Sequence, residues 1–494
     1  MPSSDLRAPS LPWRFGRMQP VACQCSSQFC QDLHHRVMAD MSRRLFLGGL
    51  LATMAPFAQG QQSTPAAVGN VQAGAGKQPV LLTNLRLFDG SQLRPANSVN
   101  VLIEGPLVKA LPETSAAIPD AITIDCQGKL VMPGMIDVHW HSMLVGLDQL
   151  SAMTADLGYL YLVAAQQAQK TLMRGFTTVR DAGGPAFALK RAIDEKVTTG
   201  PRIYPSGAMI SQTAGHGDFR FRSEVPRSAA GELSMIERAG VAMIADGDTE
   251  VLRRVREQLL LGASQIKMLA GGGVASMYDP LDTSQFTERE LRSAVDAASD
   301  WNTYVMAHVY TPKGIQRAIR SGAQSIEHGQ LADEDSVKMM RDEGVWWSLQ
   351  PFLQDSDSNV YPDEGRRSNQ LTVSKGTANA YELAQKYAIK TGWGTDILFN
   401  PKLAHTQGRQ LAKLTRFYDP LTLLGQATKS NGELVALSGA RNPYPHPLGQ
   451  IQPGAYADLL VFDGDPKQNL DFIADPDKNL YLIMKDGVIY KNML

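Results

Sequence analysis

The segment Met132–His141, with the sequence MPGMIDVHWH, joins a short apolar strand to two histidines at its end. Side chains two residues apart in a strand point to the same side, so His139 and His141 can face one common point. A His-x-His pair alone is weak evidence for a metal site. Whether the pair belongs to a metal site depends on which residues end the neighbouring strands.

This strand opens a long region, residues 133–443, in which apolar runs alternate with helical patterns. The strand candidates are Met135–His139, Thr177–Arg180, Arg202–Ile210, Ser264–Leu269, Tyr304–His308, Gln324–Glu327, Val345–Leu349 and Lys390–Thr395. Helical patterns between them include Glu250–Leu261 and Thr287–Ser299. Eight strands separated by helices predict an α/β fold with a parallel (β/α)₈ TIM-type barrel, whose functional residues lie where the strands end.

Both flanks of this region, residues 79–132 and 444–494, are rich in short strands and turns. The strand candidates there are Val80–Leu87, Val101–Glu104, Ile122–Cys126, Ala457–Phe462, Leu480–Lys485 and Val488–Tyr490. Glycine-containing turns such as Asp89-Gly90 and Asp463-Gly464 follow these runs. The shared pattern predicts one small β-sandwich built from both chain ends, with 79–132 as its first part and 444–494 as its second.

The first sixty residues read as an export signal. Ser42–Leu47, SRRLFL, opens a short apolar stretch that ends in small residues near Ala58, and its order resembles the twin-arginine signal. We expect residues 1–60 to be an N-terminal extension with this signal, and 61–78 to be a flexible linker. The mature protein would be periplasmic or secreted, without stable membrane insertion after signal cleavage. Translation could also start at Met38 or Met41.

The net charge and the cysteine content argue against a nucleic-acid or membrane partner and against a disulfide bond. The 494 residues carry a formal net charge of -1, so nothing indicates a nucleic acid or an anionic membrane as partner. Cys23, Cys25 and Cys30 precede the expected cleavage site, and we expect no zinc site there. The mature chain would keep only Cys126, which excludes an intrachain disulfide.

Four further residues suited to a metal site lie on the strand candidates. His308, His328 and Asp396 end the fifth, sixth and eighth strands, and Lys267 lies within the fourth. Neutral imidazoles and a carboxylate suit zinc or a similar divalent ion. Each residue also has an ordinary alternative. A strand-end histidine can be a packing residue, Lys267 can be a structural ion-pair partner, and Asp396 can be a helix cap.

This ordered set resembles that of the amidohydrolase superfamily, in the subtype with two divalent metal ions and a carboxylated lysine. The resemblance implies that six residues hold the two ions: His139, His141, Lys267, His308, His328 and Asp396. Lys267, carboxylated by CO₂, would bridge both ions, because an amine that has taken up CO₂ becomes an anion with two oxygens. The ions would most suitably be Zn²⁺.

The spacing of the fourth-, fifth- and sixth-strand residues, with a Gly-His-Gly loop around His216, resembles the imidazolonepropionase-like branch, which includes Xaa-Pro dipeptidases and ochratoxin amidohydrolases. The resemblance implies cleavage of a small-molecule amide between an acyl group and an amino acid, by attack of a metal-bridging hydroxide with Asp396 as catalytic proton carrier. Candidate substrates are Xaa-Pro dipeptides, N-acyl amino acids and ochratoxin-type amides. His216 and Tyr310 are the candidate substrate-binding residues, and we expect a homo-oligomer.

Several alternatives stay open at this point. Arg180 and Arg220 are weaker candidates for contacting a substrate carboxylate. A deaminase is less favoured, because Thr311 stands where those enzymes usually have a glutamate. A hydrolase of cyclic amides, lactones or imidazolone rings would share the metal site and differ in pocket shape. A non-catalytic metal-binding protein is the alternative from another class.

Overall fold

The computed structural model describes residues 78–224, 231–276, 278–361 and 363–494. These residues belong to one compact unit, Asn70–Leu494. The expected N-terminal extension, its export signal, its cysteines and nearly all of the linker lie outside the described residues. The expectations for that segment therefore stay predictions.

The described strands are β1 (Val80–Thr83), β2 (Arg86–Leu87), β3 (Val101–Glu104), β4 (Leu107–Ala110), β5 (Ile122–Asp125), β6 (Leu130–Pro133), β7 (Met135–Trp140), β8 (Phe176–Asp181), β9 (Arg202–Pro205), β10 (Met209–Ser211), β11 (Ala242–Ile244), β12 (Ile266–Leu269), β13 (Val305–Val309), β14 (Ser325–His328), β15 (Trp346–Leu349), β16 (Thr391–Trp393), β17 (Leu459–Phe462), β18 (Leu480–Lys485) and β19 (Val488–Asn492). The described α-helices are Gln149–Thr154, Leu157–Met173, Phe187–Asp194, Met235–Arg238, Asp248–Leu261, Glu288–Asp300, Pro312–Arg320, Glu334–Asp342, Glu364–Lys386, Gln407–Ala412, Pro420–Gly425, Asn431–Ala436, Asp471–Ala474 and Pro476–Asn479.

Two parallel sheets form the larger part of the fold. Seven strands follow the order β11-β10-β12-β13-β14-β15-β16, and three follow the order β7-β8-β9. The strands that carry the candidate site, β7, β12, β13 and β14, are buried along their whole length. Parallel strands covered on both faces show this continuous burial, so the predicted α/β class with parallel strands is confirmed.

The helices between the strands follow from local sequence. Helix Glu288–Asp300 begins at a capping box in which Thr287 and Glu290 satisfy each other's backbone N–H groups. It buries Leu291, Ala294 and Ala298, which recur at three- and four-residue intervals. One face of the helix therefore packs inward, as its sequence pattern predicts.

Side-chain amides bridge the gaps between the two parallel sheets. Asn431 Nδ2 donates to the carbonyls of Ile136 on β7 (2.6 Å) and Trp393 on β16 (2.7 Å). Gln265 Nε2 donates to the carbonyl of Tyr204 on β9 at 2.8 Å. The two parallel sheets are therefore joined by side-chain amides, and no continuous ladder of backbone hydrogen bonds connects the described strands of one sheet to those of the other.

Two predicted strands are divided in the structure: Val80–Leu87 forms β1 and β2, which belong to different sheets, and the third strand of the parallel region is divided as well. The expected run Arg202–Ile210 forms two strands, β9 and β10, which belong to different sheets. Gly207, with φ +73°, breaks the run, and a Cβ there would lie 2.4 Å from the Gln258 side chain. Strand β11 was not predicted at all. It is only three residues long and pairs with β10.

The two chain ends share one sheet. Its order is β19-β18-β17-β6-β2, so β17 from the end of the chain pairs with β6 from the beginning. A second sheet has the order β4-β3-β1-β5. One hydrophobic cluster includes Val80 and Ile103 from the second sheet and Leu459 and Leu482 from the first. Among the described residues, no helix combines the length and apolar character needed to cross a bilayer.

Candidate metal centre and active site

The six predicted metal-site residues line a single cleft at the carboxyl ends of the parallel strands. They are His139 on β7, His141 just after it, Lys267 on β12, His308 on β13, His328 on β14 and Asp396 shortly after β16. Residues from five separated parts of the chain therefore converge, as expected for loops and strand ends of a barrel.

His139, His141 and Asp396 form the tightest group. Oδ1 of Asp396 lies 3.4 Å from Nε2 of His139 and 3.2 Å from Nε2 of His141. One ligand atom from each residue lies within 4.8 Å of the others, which is close enough to hold one metal ion. Burial lowers the pKa of His139 well below its usual value, so its imidazole is neutral. Burial acts to raise the pKa of Asp396, but the neighbouring histidines lower it overall, so the carboxyl is ionised.

The remaining three residues adjoin this group. Nζ of Lys267 lies 3.3 Å from Nε2 of His139. The ring of His328 lies 4.7 Å from that of His139 and 4.5 Å from that of His308. Burial lowers the pKa of His328 to about 4 and lowers that of His308 well below its usual value. Neutral imidazoles beside a carboxylate are the donor set that divalent metals require, so the residues fit metal ions.

Lys267 is unusual for a buried lysine. Its side chain is buried, and no carboxylate of the described residues forms an ion pair with it within 4.0 Å. Burial lowers the pKa of Lys267 to about 8, although Glu327 and Asp396 act to raise it. The amine is therefore neutral in a substantial fraction of molecules near pH 8.

Two of the site residues have left-handed backbones. His328 has φ +73° and Asp396 has φ +55°, a conformation that residues other than glycine rarely adopt. The backbone N–H of Asp396 donates to the carbonyl of His139 at 2.8 Å and fixes the two residues together. Such strained positions cluster at functional sites.

Glu327 and Arg180 fix the orientation of the His139 ring. Oε2 of Glu327 lies 2.7 Å from Nδ1 of His139, which leaves Nε2 for the cluster. Arg180 donates through Nη2 to both oxygens of Glu327 at 2.7 and 2.8 Å. Arg180 is fully buried, is bonded to Glu327 and is absent from the cleft lining, so the structure gives no support to a contact between Arg180 and a substrate carboxylate. Sequence reasoning missed Glu327, although a carboxylate directly before the strand-end His328 was a usable signal.

Asp137 and Gln350 fix other parts of the site, and sequence reasoning missed both. Asp137 accepts hydrogen bonds from the backbone N–H groups of His139 and Thr395, each at 3.1 Å, and so joins β7 to the residue before Asp396. Oε1 of Gln350 lies 2.7 Å from Nδ1 of His328. Partners of this kind fix the orientation of metal-binding histidines.

Replacement of Glu327 by glutamine is expected to weaken zinc affinity and activity about 10- to 100-fold, because a neutral amide holds the His139 ring less firmly and leaves Arg180 without its buried counter-charge. Zinc titration and kcat/KM measure the effect. Glu334→Gln, on an exposed helix, is the matched control. Unchanged zinc affinity in Glu327→Gln would show that the carboxylate does not support the site.

Both predicted substrate-binding residues line the cleft beside the histidines. The His216 ring stacks on His308 at 4.3 Å, and the Tyr310 ring stacks on His328 at 5.0 Å. Arg220 forms two short hydrogen bonds with Asp218, at 2.6 and 2.7 Å, so its guanidinium is already neutralised. Arg220, unlike His216 and Tyr310, is absent from the cleft lining.

The outer part of the cleft is mainly apolar. The apolar side chains that line it include Met209, Phe219, Leu269, Val274, Phe352, Leu353, Val373, Ile397, Leu398, Phe399 and Leu403. Lys413 also lines the cleft, and its ammonium lies 3.1 Å from Asp355. A metal-compatible cluster in a mainly apolar cleft, which polar side chains such as Asp357, Asn359 and Gln410 also line, suits a small organic substrate with one reactive polar group.

The fold and this cluster define a class of metal-dependent hydrolase. A model of the amidohydrolase family matches residues 130–490, and the chain belongs to that family. Family membership identifies the parallel sheets as an α/β barrel of the TIM type. It also makes the protein a hydrolase that acts on carbon–nitrogen bonds.

Individual relatives agree with this assignment. The ochratoxinase of Aspergillus niger is 29% identical over 419 residues, which cover 82% of this chain and 84% of that protein. A crystal structure of a prolidase complexed with N-methylphosphonate-L-proline superposes with a TM-score of 0.76 at 32% identity, covering 84% of this chain and 100% of that one. A Xaa-Pro dipeptidase with methionine bound in its active site gives a TM-score of 0.72 at 25% identity, covering 84% and 100%.

Proposed function

We propose that the protein is a binuclear metal-dependent amidohydrolase that cleaves the amide bond between an acyl group and an amino acid. The observation that carries the proposal is the convergence of six residues on one cleft: His139, His141, Lys267, His308, His328 and Asp396. Their burial and the lowered pKa values of three of the histidines support neutral imidazoles, which is the form that binds metal ions.

Two groups of these residues would hold two Zn²⁺ ions. His139, His141 and Asp396 would hold one, and His308 and His328 the other. Lys267 would bridge the ions after its neutral amine takes up CO₂. Its burial, with no ion-pair partner within 4.0 Å among the described residues, supports this role, because burial lowers the pKa of the amine to about 8 and makes its neutral form accessible. Metal ions in such a site supply an activated water and polarise the carbonyl that is attacked.

The other steps fall to side chains of the cleft. Asp396 would accept the proton of the attacking water and deliver it to the leaving nitrogen. Its Oδ1 lies within 3.4 Å of both β7-end histidines, so it faces the reacting centre. His216 and Tyr310 would contact the substrate, since both line the cleft beside His308 and His328. The apolar wall would exclude water from the acyl group and favour bulky apolar acyl chains.

The substrates proposed are Xaa-Pro dipeptides, N-acyl amino acids and ochratoxin-type amides. Zinc-loaded enzyme should hydrolyse at least one of these classes, with kcat/KM rising as the acyl group becomes larger and more apolar. Elemental analysis should give about two metal ions per chain. His139→Ala should abolish turnover, whereas His446→Ala, an exposed histidine, should not. Turnover of lactones or imidazolones alone would contradict the proposal.

We also propose that the two small sheets pack as a β-sandwich, formed by residues 79–132 and 444–494, beside a barrel of residues 133–443. The shared hydrophobic cluster supports this arrangement. The expected periplasmic or secreted location and the homo-oligomeric state are proposals from the sequence alone. Fractionation of expressing cells and light scattering of the purified protein test them.

A further inference from the structure

The segment between β12 and helix Glu288–Asp300 folds over His216, which lies 60 residues before Ser276 in the chain. Oγ of Ser276 lies 2.6 Å from Nδ1 of His216. The same oxygen accepts the backbone N–H of Gly273 at 3.2 Å. Ser276 is buried, and no other hydrogen bond of the described residues is found for the His216 ring.

Asp279 and Gln285 hold this segment in place. Oδ2 of Asp279 accepts the backbone N–H of Gly273 at 3.2 Å and the side-chain amide of Gln285 at 2.9 Å. Oε1 of Gln285 accepts the backbone N–H of His216 at 2.9 Å. Oδ2 of Asp279 lies 4.0 Å from Nδ1 of His216. Ser276, Asp279 and Gln285 thus fix both the backbone and the ring of one residue.

The His216 ring has little freedom to turn. One face stacks on His308 at 4.3 Å with an angle of 17° between the planes. Its edge packs against Gly273 so closely that a Cβ on this glycine would lie 2.0 Å from Cε1. A ring held on its face, its edge and its Nδ1 has a single orientation, which is the property of a preorganised catalytic group.

We propose that Ser276 and Asp279 are positioning residues that hold the His216 ring for a hydrogen bond with the amide group of the substrate. The Ser276 hydroxyl reaches Nδ1 at 2.6 Å, whereas the Gly273 carbonyl, the other acceptor of its hydrogen, lies at 3.1 Å. The hydroxyl therefore joins the His216 ring to the Gly273 backbone, and among the described residues Nε2 is the ring nitrogen without a protein hydrogen bond, in a side chain that lines the cleft. The role rests on the proposed amide hydrolysis.

The experiment uses full-length, zinc-loaded enzyme and compares Ser276→Ala with Ser276→Thr, which keeps the hydroxyl. Ser276→Ala should lower kcat on an N-acyl amino acid about 10-fold with KM within about twofold, because one hydrogen bond in the transition state is worth about 1.4 kcal/mol. Ser276→Thr should recover most of the loss. Asp279→Ala should lower kcat, and Asp279→Asn, which keeps the acceptor oxygen, should lower it less. Asp282→Asn, exposed in the same segment, is the matched control.

A second measurement does not depend on turnover. With ¹⁵N-labelled histidine, the ring signals of His216, assigned with His216→Asn, should shift between the wild type and Ser276→Ala, because the hydrogen bond at Nδ1 is lost. An unchanged signal, or equal kcat losses in Ser276→Ala and Ser276→Thr, would overturn the inference. If the wild type hydrolyses no amide but the signal changes as expected, the proposed function is wrong and the positioning of His216 stands.

Discussion

Replacement of Lys267 by alanine is expected to lower kcat/KM by at least about 10³-fold, which corresponds to about 4 kcal/mol of transition-state stabilisation. The side chain is buried at the centre of the site, with Nζ 3.3 Å from Nε2 of His139. In the proposed enzyme it joins the two groups of metal ligands. Alanine removes that link, so the number of zinc ions per chain, measured by elemental analysis, should fall with activity.

Controls separate this effect from a loss of folding. Lys267→Met keeps the volume of the side chain and should be as inactive as Lys267→Ala. Lys375→Ala, on an exposed helix face, should be fully active. A small carboxylate such as formate should restore part of the activity of Lys267→Ala, because it can replace the two oxygens of a carboxylated lysine. Full activity of Lys267→Ala without additives would show that the lysine has no bridging role.

The sequence alone was sufficient to predict which residues meet in the cleft, and the reason is local. His139 and His141 end a mainly apolar strand with two-residue spacing, His308 ends the apolar run 304–307, and His328 ends the short strand Ser325–His328. In parallel strands the carboxyl ends lie on one side, so residues far apart in the chain converge once the strands are recognised. The bounds of β3 and β18 were also predicted correctly, because turn residues mark both ends.

The errors lie where long-range contacts override the local pattern. Arg202–Ile210 was predicted as one strand, but Gly207, with φ +73°, interrupts it, and Oε1 of Gln258 accepts the backbone N–H of Ala208 at 2.9 Å. Arg180 was a weaker candidate for contacting a substrate carboxylate. Its hydrogen bonds to Glu327 and to the carbonyl of Val138 turn it into the interior instead. Neither partner is close to it in the chain.

The contacts of Ser276, Asp279 and Gln285 around His216 also could not be predicted from the sequence. Gly273 lies against the His216 ring. Nothing in the sequence indicated that Ser276 would be the partner of Nδ1, since serine is common in loops and the contact spans 60 residues. Polar networks of this kind depend on the final packing and require coordinates.

Replacement of Asp396 by asparagine is expected to lower kcat about 10²- to 10⁴-fold while most of the bound zinc is retained. Asparagine keeps an oxygen at the position that lies 3.2 Å from Nε2 of His141, but it cannot take up a proton near neutral pH. Asparagine also tolerates the left-handed backbone of this position, φ +55°, so the fold should persist. Single-turnover kinetics and elemental analysis on the same preparations measure the two effects.

Two further variants make that result specific to proton transfer. Asp396→Ala removes the ligand oxygen as well, so it should lose both zinc and activity. Asp300→Asn, exposed at a helix end, should change neither. If Asp396→Asn loses zinc as completely as Asp396→Ala, the carboxylate acts chiefly as a ligand. If Asp396→Asn turns over as fast as the wild type, the proton passes through another group, and His216, which lines the same cleft, is the next residue to replace.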